Sequence, residues 1–135
     1  PRIMAGKIVA DQLEHSTAGT VDTQFVVNGS AKVLCTFNGT ASGATVRTSF
    51  NVSSTDDDST GQYGVNFTNA MSGTEFTPTG SNIGDSTTSL RTLGIVAGLN
   101  ANTSSSINFA TTEADGTGAY VDWTHVNTVV HGDLA

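Results

Sequence analysis

The distribution of apolar and polar positions has period two over most of the chain. From Lys32 to Phe37, apolar Val33, Cys35 and Phe37 alternate with Lys32, Leu34 and Thr36, and Asn-Gly pairs fence the run at 28–29 and 38–39. Such alternation, bounded by turn residues, predicts a half-buried strand. Tyr63, Val65 and Phe67 against Gly64, Asn66 and Thr68 form the clearest strand of the chain. Thr45–Val52 is a further alternating run; with 62–68 it reads as a hairpin across the loop Ser53–Gly61. Shorter strands are expected at Glu75–Thr77 (stopped by Pro78), Ser89–Ala97 (with Gly94 as a bulge or bend), Ser105–Ala110 and His125–His131, and Thr79–Asp85 reads as loop. No helical period is sustained anywhere. Eight or nine short strands with closely spaced turns predict an all-β fold, an antiparallel β-sandwich or jelly-roll-like domain.

The first 28 residues read differently. A short strand over Gly6–Leu13, a turn over Glu14–Thr20, and a second strand through Val21, Thr23 and Phe25 to Val26-Val27 hold few large residues. Such a segment could hardly be stable alone. We therefore expect residues 1–28 to be a β attachment and oligomerisation segment, with Ile8, Leu13, Val21 and Phe25 as its docking residues, and 29–135 to be the sandwich.

Composition sharpens this picture. Only 36% of the 135 residues are apolar and 7% aromatic, while Thr and Ser make up roughly a quarter, well above average usage. The bias suits pleated surfaces and turns and leaves a thin core, which association between copies can supplement. Five Lys and Arg against 12 Asp and Glu give a net charge of -7, which argues against nucleic acid and against an anionic membrane surface. No apolar run approaches the length of a membrane span, so no membrane insertion is expected. Pro1–Gly6 is followed at once by Lys7, Asp11 and Glu14, unlike a secretion signal. With the single cysteine, Cys35, no intrachain disulfide can form.

The chemistry-bearing residues form no constellation. Asp56-Asp57-Asp58 is the one tempting cation site, but it lacks the spacing of a calcium loop, and an acidic hairpin needs no metal. His15, His125 and His131 make no metal-binding pair; in a strand His125 and His131 would share a face with Asn127 and Val129. No nucleophile elbow and no phosphate loop occurs. Cys35 has no basic neighbour to activate it and reads as a buried small hydrophobe. Carboxylate pairs drawn from Glu75, Glu113, Asp115 and Asp122 are what any acidic chain offers. The five Asn-x-Ser/Thr triplets follow from composition. We expect no catalytic residues, no enzyme activity, no metal and no cofactor. Tyr120 and Trp123 beside the Gly-rich connection 113–118 are the candidate surface residues, able to stack on sugar rings or anchor a protein; the opposing reading puts the only Trp in the core.

Two stretches carry a resemblance. Gly6-Lys-Ile-Val-Ala-Asp-Gln-Leu13, with Ser16 and Gly19-Thr20, resembles a Gly-x-Ile-x-x-Asp-x-Ile/Leu module in structural and fibre proteins of marine tailed bacteriophages. The runs Val27–Lys32, Phe37–Thr40, Ser49–Ser54 and Gly61–Thr68 are similar to β-rich modules of the same proteins, as is the ending His131-Gly-Asp-Leu-Ala135. The chain departs from them at Val33-Leu34-Cys35, where an aromatic usually follows Ala-Lys, and in its three loop aspartates. The resemblance implies a virion structural protein assembled in the host cytoplasm: a small tail-fibre, tail-tip or capsid-decoration component. Its implied partners are itself, as a homotrimer, other virion proteins and a host surface glycan. The alternative is a carbohydrate-binding β-sandwich using Tyr120 and Trp123.

Overall fold

A computed structural model describes residues 6, 8–83, 91–94, 100–113 and 118–135. The chain forms two compact units, Pro1–Ser30 and Ala31–Ala135. The division falls one residue beyond the Asn28-Gly29 pair.

The second unit is an antiparallel β-sandwich. Its strands are β3 (Ala31–Asn38), β4 (Thr45–Phe50), β5 (Val52–Ser59), β6 (Gln62–Phe67), β7 (Thr77–Ile83), β8 (Arg91–Gly94), β9 (Ser106–Glu113) and β10 (His125–His131), numbered after two strands of the first unit. One sheet runs β4-β3-β10-β7 and the other β5-β6-β9-β8. The period-two pattern decides which side chains meet between them. Val33, Cys35 and Phe37 of β3 and Val126, Thr128 and Val130 of β10 are buried, as are Tyr63, Val65 and Phe67 of β6 and Ile107, Phe109 and Thr111 of β9. Three aromatic rings cluster within this core: Phe37 meets Tyr63 edge-on at a centroid distance of 5.1 Å, and both lie near Phe109, at 6.1 and 6.2 Å.

Two expectations change. The run 45–52 is not one strand. Asn51 adopts a left-handed conformation (φ 56°) and carries the chain from one sheet to the other in a single residue. Consequently 45–50 pairs with β3, while 52–59 makes the hairpin with β6. The acidic run therefore lies in a strand rather than a loop. It sits on the outer edge of its sheet, where all three aspartates are exposed. Charge on an unpaired strand edge discourages pairing with another chain. Likewise Pro78 does not stop a strand but lies within β7, which is also an edge, where its missing N–H interrupts no ladder. The expected strand over 89–97 is described only at 91–94, and the Gly-rich connection only in part; the remainder of both lies outside the described residues.

Candidate docking surface

The first unit is a two-stranded ribbon followed by one short helix. Strands β1 (Gln12–His15) and β2 (Gly19–Asp22) pair antiparallel, placing Leu13 opposite Val21. At the turn, His15 Nδ1 accepts backbone N–H bonds from Thr17 and Ala18 at 3.3 and 3.1 Å. At the open end, Gln12 Nε2 donates to Asp22 Oδ1 at 2.8 Å, and Thr23 ties back through its N–H to Asp11 O and its hydroxyl to Ala10 O. Helix α1 (Thr23–Gly29) begins there. Asp22 occupies its N-cap without a side-chain cap, its carboxylate instead receiving Gln12. Ser30 closes the other end, its N–H donating to Val26 O and its hydroxyl to Val27 O.

The helix corrects the strand expected through Phe25 to Val27. A β-branched run of this length has no period that separates the two states, and the Thr23 anchor turns the backbone. The first strand also lies later than expected, at 12–15, with the turn compressed to Ser16–Ala18.

What distinguishes this unit is the absence of an interior. None of its described residues is buried, and only Asp22 and Thr23 are even half-covered. Seven large apolar side chains stand exposed: Ile8 (89%), Val9 (82%), Leu13, Val21, Phe25 (63%), Val26 and Val27. Ile8, Val9, Ala10, Leu13, Thr23, Val26 and Val27 line a groove of about 440 Å³. None of the lining residues carries a charge. Of the four docking residues expected from sequence, Ile8 and Leu13 line this groove and Val21 and Phe25 do not. Sequence reasoning missed Val9, Val26 and Val27, which join the groove only because the chain turns helical after Asp22.

In the sandwich, Trp123 is 5% exposed and packs in the core, so its ring offers no stacking platform; Tyr120 is 45% exposed. The two do not form one aromatic surface. Cys35 is fully buried, and that burial pushes its thiol up from 9.0 to about 11, away from thiolate chemistry. Among the described residues no group of three His, Cys, Asp or Glu side chains could hold a metal ion. No helix among them is long and apolar enough to cross a membrane. His125, Asn127, Val129 and His131 share the outward face of β10, as their even spacing implies, with each half-buried. On that face Phe50, Leu34, Val129 and Thr79 stand in register across all four strands.

Compared with protein-family models, curated proteins and solved structures, the chain matches none of them.

Proposed function

We propose that this chain is a structural component of a tailed-phage particle, a small fibre, tail-tip or capsid-decoration protein that docks through its N-terminal unit and presents the sandwich. The observation that carries the docking is the first unit's composition of surface without interior. A segment of about 30 residues cannot retain a fold on one ribbon and two helical turns; chains below roughly 40 residues ordinarily need disulfides, metals or association. Seven exposed apolar side chains in such a segment mark a surface that is covered in the working state. The family resemblance supplies the identity of the assembly, a homotrimer among other virion proteins, with a host surface glycan as a further contact. A carbohydrate-binding module built on Tyr120 and Trp123 is the weaker reading, because stacking would rest on Tyr120 alone.

The test is placement of the chain in an electron cryo-microscopy map of the particle, together with rebinding of purified chain to particles stripped of it. Density for residues 8–27 seated against a neighbouring subunit is the expected result. Failure of the full chain to rebind, with the sandwich intact, would remove the virion reading.

A further inference from the structure

We infer that the groove of the N-terminal unit is filled by Phe25 of a second copy of this chain. The inference deepens the docking reading and rests on its premise that this unit is covered in the assembled state.

Three observations lead to it. The first is that the unit carries both a cavity and a side chain suited to it, and the two cannot meet within one copy. Val26 and Val27 line the groove, whereas Phe25 does not, although it is 63% exposed. At 3.6 residues per turn, Phe25 lies about 200° around the helix from Val27. When the valine side faces the groove, the phenylalanine points away from it.

The second is fit. The groove measures about 440 Å³ and is walled by Ile8, Val9, Leu13, Val26 and Val27, with no charge to desolvate. A closed apolar cavity of roughly 150 Å³ already accommodates a benzene ring, so an open groove of this size has room for a phenyl group and part of its helix.

The third is extent. Seven large apolar side chains at the observed exposures leave an area on the order of the ~800 Å² that each partner contributes to a standard stable interface. They lie on both sides of the helix. A partner covering the groove alone would leave Phe25 in water, whereas copies joined knob into groove cover both. This contact is heterologous, each copy giving its Phe25 to one neighbour and receiving another's. Such contacts form a ring where the rotation between copies closes and an open filament where it does not, and a single discrete oligomer is the mark of the closed case.

The test uses the full chain. Sedimentation equilibrium of the wild type should show one discrete oligomer. Phe25→Ala, which removes the knob and keeps the groove, should raise the dissociation constant about 30-fold or more, as loss of an interface anchor does. Val27→Asp, which spoils the groove and keeps the knob, should do the same. Mixing the two weakened variants should restore a 1:1 complex through the one contact still intact. The near-ultraviolet signal of buried Trp123 checks that the sandwich is folded in each variant. A monomeric wild type, wild-type assembly by Phe25→Ala, or a mixture that stays dissociated would each overturn the inference. Particle rebinding separates this from the docking reading. A monomer that still rebinds sinks the knob-and-groove contact alone, because another virion protein then occupies the groove. A ring that never rebinds sinks the virion reading alone.

Discussion

The Tyr63 hydroxyl donates a 2.8 Å hydrogen bond to Oδ1 of Asp122, 59 residues further along the chain. The same oxygen accepts the Gly61 N–H at 2.6 Å, and the Gly39 N–H donates to Trp123 O at 2.9 Å, so three connections are pinned around one tyrosine. Tyr63→Phe keeps the ring and deletes the donor, leaving a carboxylate oxygen short of one partner in a half-buried site. The expected cost is about 1–3 kcal/mol in urea unfolding, and Asp122→Ala should cost at least as much. Additive losses in the double variant would show that the two side chains do not act through this bond.

Gly39 is required by space. A Cβ there would run into the Tyr63 hydroxyl, and would lie 2.8 Å from Tyr63 Cζ and 2.9 Å from Trp123 O. Both neighbours are held, one by Asp122 and the other by the Gly39 N–H itself. We expect Gly39→Ala to destabilise by about 2–4 kcal/mol. Partial rescue by Tyr63→Phe, seen as melting temperature, would identify the hydroxyl as the obstacle.

Asn51 makes the sheet-to-sheet corner possible. Its left-handed backbone suits asparagine, and its amide holds both sides of the corner: Nδ2 donates to Lys32 O and Asn69 O at 3.0 and 3.1 Å, while Oδ1 accepts the Asn69 N–H at 2.7 Å. Asn51→Asp preserves the acceptor and turns the donor into a second acceptor facing two carbonyls. It should lose about 2–3 kcal/mol, whereas Asn51→Gly, which suits the backbone but loses the amide, should lose less. Equal losses would mean that the amide contacts carry little.

Alkaline pH should weaken the fold. Burial raises the Cys35 thiol from 9.0 to about 11, and burial with the Asp122 hydrogen bond raises the Tyr63 phenol above its usual 10.0. Both groups hold their protons more tightly folded than unfolded. Below pH 9 this contribution is fully present; above it the unfolded chain ionises first, so stability falls as the pH climbs toward 11. Urea midpoints between pH 8 and 11 should decline for the wild type and decline less steeply for Cys35→Ala. Parallel curves would dismiss the thiol as a contributor.

The acidic edge should protect against association rather than bind a cation. Asp57 stands opposite Tyr63 in register, on the core side of an edge strand, yet remains exposed. Replacing Asp57 and Asp58 with Val should leave the melting temperature within a few degrees and produce concentration-dependent light scattering, because the edge then offers an uncharged, β-prone template.

Much of this fold is legible in the chain itself. Alternation in Lys32–Phe37, Gln62–Phe67 and His125–His131 determines which side chains point inward, because successive residues of a strand must face opposite ways. The Asn-Gly pair at 38–39 ends β3 for another local reason, because these residues favour a turn. Other features depend on contacts distant in sequence. Asp56–Asp58 look like loop until β6 lies beside them, and an edge strand tolerates the charge that a central strand would not. Val46 and Phe50 look continuous with Val52 until Lys32 and Asn69 close on Asn51. Whether the only tryptophan is a surface anchor or core depended on how the segment carrying Asp122 folds over Tyr63. In the N-terminal unit, local sequence determined the apolar content, but only the turn at Thr23 gathered Val26 and Val27 beside Ile8 and Leu13 and set Phe25 apart from them. Short β-branched segments have no period of their own, so tertiary geometry decided which of these residues form a groove and which a knob.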